Sequence, residues 1–152
     1  DSRVNTMETK TDHTLYVDAT DAIAGRLASY VAKQALLGKN VAVVNAEKAL
    51  ITGKPSSIIA AEIEKREIGS ATKGPYFPKQ ADRLLRRMIR GMLPWKRTTG
   101  REAFRRVMCY KGVPEPFKEK HIIKVPAAAR NEKSAVRHVT IELLCARAGA
   151  RS

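Results

Sequence analysis

The sequence is poor in the side chains that build disulfides and metal sites. Cys109 and Cys145 form no CxxC pair, and His13, His121 and His138 have no ligand-like spacing to each other or to a cysteine. Zinc sites and disulfide frameworks need such closely spaced sets. We therefore predict no metal site and no cofactor, and two reduced, mostly buried thiols that favour a reducing, cytosolic compartment.

Long hydrophobic runs are also missing. No stretch approaches the roughly 18 consecutive apolar residues of a membrane-spanning helix, and the first residues have neither the basic nor the apolar segment of a leader peptide. We expect no membrane partner and no secretion. The hydrophobic fraction is nevertheless 43%, which is near the globular norm and enough for one compact domain.

Signatures of nucleotide binding are incomplete. Ile51–Lys54 resembles the end of a phosphate-binding loop, but Lys48 stands where that motif needs glycine and Pro55 where it needs serine or threonine. Gly25 stands alone, without a GxGxxG pattern, and suits helix packing or a tight turn.

Signatures of catalysis are missing as well. No serine or cysteine lies in a nucleophile elbow. Asp18 and Asp21 precede a predicted helix, where capping or interaction with the helix dipole is a better interpretation than an acid/base pair. We predict no catalytic residues, no small-molecule substrate and no enzyme.

The hydrophobic pattern of the first seventy residues predicts alternating strands and helices. Leu15–Val17 is prone to form a strand, and apolar residues recur every four positions over Ile23–Leu37, where Gly38 is placed to end a helix. Val41–Val44 is an unbroken apolar run, typical of a strand buried on both faces of a parallel sheet. A further helix over Pro55–Ile68 completes the pattern of an α/β protein.

Downstream, the sequence predicts three more helices, over Ala81–Met92, Thr99–Met108 and Thr140–Gly149. Thr99 and Glu102 have the spacing of a capping box at the start of the second. We predict a flexible N-terminal arm over residues 1–13, a single domain over residues 14–117 and an extended basic tail with a terminal helix over residues 118–152.

Acidic residues are scarce in one segment, and this shortage is the most informative feature of the sequence. Residues 1–72 have nine basic and nine acidic side chains, whereas residues 73–106 have eleven basic ones against Asp82 and Glu102. Much of the formal net charge of +14 therefore lies in one stretch. Such a segment is typical of proteins that bind a polyanion.

On a helical wheel, the predicted helix Ala81–Met92 separates its arginines from its apolar residues. Arg83, Arg86, Arg87 and Arg90 fall within one arc, with no acidic partner three or four residues away. Arginine can hold a phosphate bidentately, and Trp95, on a turn, is equally suited to stacking on a base or to anchoring that turn. The candidate residues for binding a polyanion such as nucleic acid are Lys73, Lys79, Arg83, Arg86, Arg87, Arg90, Trp95, Lys96, Arg97, Arg101 and Arg105.

Three blocks of the sequence resemble one known family. Gly25–Ser29 (GRLAS), Val43–Ala49 (VVNAEKA) and Arg90–Pro94 (RGMLP) are similar, in this order, to the universal large-subunit ribosomal protein thirteen, the L-thirteen family. Lys73–Pro75 and Tyr110–Phe117 look like its archaeal and eukaryotic branch. Trp95 departs from the family pattern, where a histidine or another polar residue is more usual, and the match is weak from His121 onward.

The resemblance implies a small three-layer α/β/α core with a mainly parallel sheet and a basic segment laid on ribosomal RNA early in assembly. The implied partners are large-subunit ribosomal RNA and neighbouring large-subunit ribosomal proteins, in the cytoplasmic ribosome. Two alternatives remain: an RNA-modifying or nucleotide-hydrolysing enzyme, and a regulatory protein that uses the same basic face on messenger RNA.

Overall fold

The computed structural model describes residues 14–70, 72–131 and 135–148. The predicted arm over residues 1–13 and Gly149, the predicted end of the last helix, lie outside these ranges. In chain order the elements are β1 Thr14–Asp18, α1 Ala24–Leu36, β2 Asn40–Val44, β3 Leu50–Thr52, α2 Pro55–Glu67, α3 Ala81–Gly91, α4 Thr98–Arg105, β4 Val107–Cys109, β5 Ile122–Lys124, β6 His138–Thr140 and α5 Ile141–Arg147.

The main sheet has four strands in the order β4-β2-β1-β5, and every neighbouring pair is parallel. Strand β2 is inside the sheet and Val41–Val44 is buried along its whole length, as its unbroken apolar run predicted. Helices flank the sheet, which confirms the small three-layer α/β/α core. A second sheet is formed by β3 and β6, which pair antiparallel.

Helix α1 connects the two central strands. Leu27, Val31 and Ala35 form its buried stripe, and Gly38 follows it at a φ of +94°, a left-handed conformation that suits glycine after a helix. The role predicted for Gly25 is wrong. It lies in the first turn of α1, and an added Cβ would meet nothing within 4 Å.

The predicted helix from Thr99 to Met108 is too long and starts too late. Helix α4 begins at Thr98, and its N-cap is Arg97, with no side-chain cap. Thr99 therefore lies inside the helix, and the capping box predicted with Glu102 is wrong. The chain after Arg105 enters β4 instead, because pairing with β2 buries both Val107 and Cys109.

The capping role predicted for Asp18 and Asp21 is also wrong. The N-cap of α1 is Ile23, and the first turn of α1 has no acidic residue. Asp18 instead ends β1, where its Oδ1 accepts hydrogen bonds from the amide and the hydroxyl of Thr20, at 2.9 and 2.7 Å.

Residues beyond position 117 take part in both sheets. Strand β5 pairs with β1, and β6 pairs with β3. Helix α5 starts at the predicted place, since the hydroxyl of Thr140 accepts a hydrogen bond from the amide of Leu143 at 3.2 Å. The division between residues 14–117 and 118–152 stays a prediction. Both cysteines, Cys109 and Cys145, are free and buried, as predicted.

Candidate nucleic-acid interface

A basic cleft lies between the C-terminal end of α2, the segment 72–80 and helix α3. Its volume is about 820 Å³. Six of the eleven candidate residues line it: Lys73, Lys79, Arg83, Arg86, Arg87 and Arg90. Arg66 adds a seventh cation, and Glu67 is the single acidic residue among the described residues of the lining. The fold thus brings cations from two separated stretches of sequence to one concave surface.

Helix α3 presents its four arginines in two different ways. Leu85 and Ile89 face the core, and Arg83 and Arg87 are exposed. Arg86 is half-buried. Its Nε donates to the carbonyl of Val107 at 2.9 Å and its Nη2 to that of Phe104 at 3.2 Å. The four arginines that share one arc of the helical wheel therefore do not all point outward.

Arg90 and Trp95 contact each other at the end of α3. The guanidinium carbon of Arg90 lies 4.0 Å from the centroid of the Trp95 ring, and Trp95 meets the Phe104 ring edge-on at a centroid distance of 5.1 Å. Trp95 is half-buried. Of the two roles left open for Trp95, this packing favours the anchor of the turn between α3 and α4.

The other four candidate residues lie on that turn and on α4, away from the lining of the cleft. Lys96, Arg97, Arg101 and Arg105 are all exposed. The Nε of Arg101 donates to the carbonyl of Trp95 at 3.1 Å, which ties the start of α4 to the turn. These side chains continue the basic surface beyond α3.

Among the described residues, the cations of residues 73–106 form no salt bridge with a carboxylate. Within the part of the chain that the structure describes, the salt bridges are Arg66–Glu62, Lys118–Glu115 and Lys124–Asp18. None of these pairs involves the segment. The carboxylate of Asp82 accepts a hydrogen bond from the backbone amide of Arg83 at 2.9 Å rather than pairing with a guanidinium. The surface therefore keeps its positive potential for an outside anion.

Arg66 is a structural residue of the cleft that charge counting missed, because it belongs to the neutral half of the sequence. It pairs with Glu62 at 3.3 Å, and both side chains are about nine-tenths buried. Its guanidinium also donates to the carbonyls of Ala148 at 2.7 Å and Pro78 at 3.4 Å. Arg66 thereby holds the segment 72–80 and the end of α5 against α2. The four-residue spacing of Glu62 and Arg66 on a predicted helix could have indicated this salt bridge from the sequence.

A second, smaller cavity lies where the carboxyl ends of β1 and β5 meet. Its volume is about 300 Å³, and its lining includes Asp18, Asp21 and Lys124. Nucleotides bind at the corresponding place in many open parallel sheets. Here the carboxylate of Asp18 already accepts hydrogen bonds from within the protein. Asn45 donates to it at 3.1 Å, in addition to the two hydrogen bonds from Thr20.

The charge state of Asp18 follows from these contacts. Burial alone would raise its pKa, but hydrogen bonds from Thr20 and Asn45, together with the charge of Lys124, lower the pKa below the ordinary value of 3.8. Burial raises the pKa of the Cys109 thiol to about 12. Cys109 is therefore an unreactive thiol. Asp18 is a charged carboxylate whose hydrogen bond from Asn45 connects the ends of β1 and β2.

Two features are absent from the described ranges. No cluster of three or more His, Cys, Asp or Glu side chains there could hold a metal ion. In the same ranges, no helix has the length and apolar character to cross a membrane.

The comparisons with known proteins agree with the sequence blocks. The family model "Ribosomal protein L13" matches residues 12–116. The chain is 48% identical over 106 residues to "Large ribosomal subunit protein uL13" of Methanopyrus kandleri, covering 70% of this chain and 67% of the relative. The protein of the same name in Archaeoglobus fulgidus is 41% identical over 136 residues, covering 89% and 87%. The Methanosarcina barkeri protein is 45% identical over 126 residues, covering 82% and 90%.

The family match includes the basic cleft. Residues 12–116 contain three of the four strands of the parallel sheet, β1, β2 and β4, as well as the helices α1 to α4 and all eleven candidate residues. A match over this much of the chain, supported by relatives of 41% to 48% identity, shows that the chain belongs to the ribosomal protein L13 family.

Proposed function

We propose that this chain is a structural constituent of the large ribosomal subunit, which binds ribosomal RNA through its basic surface and supports subunit assembly and translation. Its relatives are named as proteins of the large ribosomal subunit. Proteins of this family are structural, non-enzymatic components of the ribosome. The implied partners are large-subunit ribosomal RNA and neighbouring ribosomal proteins, in cytoplasmic ribosomes.

The observation that carries the proposal is a pair of exposed arginines that line the cleft, Arg83 and Arg87, which form no salt bridge with any described residue. They are four residues apart on one helix, where like charges repel by about 0.2–0.5 kcal/mol. A phosphate backbone removes this repulsion and releases counterions from the RNA. Each planar guanidinium can also hold a phosphate with two hydrogen bonds.

The eleven candidate residues take two roles in this proposal. Arg86, Arg90 and Trp95 fix the shape of the surface through contacts within the protein. The exposed members are proposed to contact phosphates: Lys73, Lys79, Arg83, Arg87, Lys96, Arg97, Arg101 and Arg105. A surface of this kind gives affinity for RNA without itself reading the sequence.

The test is the double variant Arg83→Gln/Arg87→Gln, measured for binding to transcribed large-subunit RNA over a series of salt concentrations. Each lost phosphate contact lowers the slope of log affinity against log salt by about 0.7–0.9, so the double variant should lose about 1.4–1.8. In cells, less of the variant should sediment with large subunits.

The matched control is Arg26→Gln/Arg130→Gln, which removes two exposed arginines that line a different cavity. We expect a smaller loss of affinity and of slope from this control. A double variant at Arg83 and Arg87 with the wild-type slope and wild-type sedimentation would overturn the proposed surface. Equal losses from both pairs would show a general charge effect rather than a site.

A further inference from the structure

Tyr76 is the most exposed large aromatic side chain in the described part of the chain, at 74%. It lies in the segment between α2 and α3, and its ring lines the basic cleft. Charge counting could not have found it, because it carries no charge. A single exposed apolar residue needs no explanation in general, so its setting decides whether it has a role.

The Tyr76 ring is fixed in place despite its exposure. Its hydroxyl donates to the carbonyl of Thr72 at 2.9 Å. The side of the ring lies on Gly74, where an added Cβ would stand 3.6 Å from two ring carbons. Two contacts on one short segment thus limit the rotation of the side chain. A preorganised ring loses little conformational freedom when a ligand stacks on it.

The surroundings of the ring match the needs of one class of ligand. Lys73 and Lys79 flank Tyr76 in sequence, and Arg83 and Arg87 line the same cleft. Flat aromatic surfaces set among cations are what single-stranded nucleic acids bind, since the bases stack and the phosphates pair. The cleft, at about 820 Å³, lies in the size range that holds drug-sized ligands.

Trp95, the other candidate for stacking, is less suited to that role. Arg90 covers its ring at 4.0 Å and Phe104 packs against it at 5.1 Å. Tyr76 has neither kind of contact among those the structure describes. Of the two rings, Tyr76 is therefore the one with an open face.

We propose that Tyr76 stacks on an unpaired base of RNA whose phosphates are held in the cleft by Arg83 and Arg87. This inference rests on the proposed function and adds the chemical class of what the cleft binds. The base must be unpaired, because bases inside an RNA duplex are stacked on each other and offer no face to a side chain. Recognition is by stacking and charge, so every base is accepted.

The experiment compares three RNAs: transcribed large-subunit RNA, single-stranded oligoadenylate and a fully paired RNA duplex of the same length. Tyr76→Ala should weaken oligoadenylate binding by about 5- to 150-fold. Its affinity for the duplex and its salt slope should stay at the wild-type values, because no charge is removed. Tyr76→Phe keeps the ring and should bind oligoadenylate much more tightly than Tyr76→Ala.

Two further variants separate stacking from a change in folding. Tyr76→Leu keeps apolar bulk without a π-face and should be as weak as Tyr76→Ala. Leu37→Ala alters another exposed apolar residue, 66% exposed at the end of α1, and should leave all three affinities unchanged.

The outcomes distinguish this inference from the proposed function. A wild-type protein that binds the duplex and large-subunit RNA but not oligoadenylate, or a Tyr76→Ala variant with wild-type affinity for oligoadenylate, would overturn the stacking role and leave the proposed function standing. A wild-type protein that binds none of the three RNAs would overturn both.

Discussion

The guanidinium carbon of Arg86 lies 3.9 Å from the centroid of the Phe104 ring. The same guanidinium donates to the backbone carbonyls of Phe104 and Val107. Arg86 therefore joins α3 to the end of α4 and the start of β4. Its neighbour Arg87 is exposed and has no such contact with any described residue. Of these two consecutive arginines, Arg86 thus stabilises the packing of α3 against α4 and β4, and Arg87 presents its charge to the solvent.

Single variants of these neighbours should separate stability from binding. Arg86→Gln removes two charge-assisted hydrogen bonds and a cation–π contact, so it should lower the free energy of unfolding by about 1–3 kcal/mol. Arg87→Gln should change stability by less than about 0.5 kcal/mol and should lower the salt slope of RNA binding. Urea unfolding and salt-dependent RNA binding measure the two effects.

The two variants serve as controls for each other, since each removes one arginine from the same helix. Equal loss of stability in both would contradict the division of tasks. A stable Arg86→Gln protein with reduced RNA affinity would instead mean that Arg86 turns outward in solution.

Gly100 allows α4 to pack against the turn before it. An added Cβ would overlap the carbonyl group of Pro94, and Gly100 is buried. Gly100→Ala should therefore lower the free energy of unfolding by about 1–3 kcal/mol, as overpacking does. Gly91→Ala is the matched control, because Gly91 is in α3 and an added Cβ there meets nothing within 4 Å.

Thermal unfolding of both glycine variants checks this prediction. Gly91→Ala should be neutral or stabilising by about 0.4–1 kcal/mol. A Gly100→Ala protein as stable as the wild type would show that the turn at Pro94 moves away at little cost.

The elements with a clear hydrophobic period were predictable from sequence. Helix α1 and strand β2 are within two residues of their predicted bounds, because a long stripe or a fully buried run leaves few alternatives. Strands β3 and β6 have three residues each. These strands are defined by their hydrogen bonds to each other, and a local pattern of hydrophobic residues does not predict such a pairing between distant segments. The boundary at Arg105 was missed for the same reason, since β4 is defined by its pairing with β2.

The candidate site was predictable in its charge but not in its shape. The shortage of acidic residues in 73–106 located the segment. A helical wheel places Arg86 and Arg87 on one arc, but it does not include β4, whose start offers Arg86 a carbonyl partner. Arg66 and Tyr76 were missed because their places in the cleft depend on contacts that no charge count includes. Arg66 donates a hydrogen bond to the carbonyl of Pro78, and Tyr76 donates one to the carbonyl of Thr72.

The thiol of Cys109 should make the protein less stable at alkaline pH. Burial raises its folded-state pKa to about 12 from an ordinary 9.0, so near pH 10 the unfolded chain has lost the thiol proton and the folded chain has kept it. Stability therefore falls as the pH rises above 9, by about 1 kcal/mol at pH 10. Cys109→Ala should lack this component when unfolding is compared at pH 8 and pH 10. Rapid alkylation of Cys109 in the folded protein at pH 8 would contradict its buried, protonated state.

The carboxylate of Asp18 should stabilise the protein at neutral pH and lose that effect in acid. Thr20 and Asn45 donate three hydrogen bonds to it, and the link to Asn45 joins the ends of β1 and β2. Its folded-state pKa is lowered below 3.8, so as the pH falls the unfolded chain takes up a proton before the folded chain does. The stabilisation is therefore complete well above the ordinary pKa and is lost as the pH falls through the lowered one.

Asp18→Asn is the variant that tests this effect, because it keeps the size of the side chain and removes its charge. At pH 7 it should unfold more easily than the wild type by about 1–3 kcal/mol, the range for hydrogen bonds to a charged acceptor. The difference between the two proteins should shrink as the pH is lowered from 5 through the lowered pKa, where the wild-type carboxyl is also uncharged. Asp21→Asn is the matched control, because Asp21 is exposed and its side chain takes part in none of these hydrogen bonds. The difference in the free energy of unfolding between Asp18→Asn and the wild type could also stay constant down to pH 2. That result would show that the variant is destabilised by the geometry of the amide group and not by the loss of the negative charge.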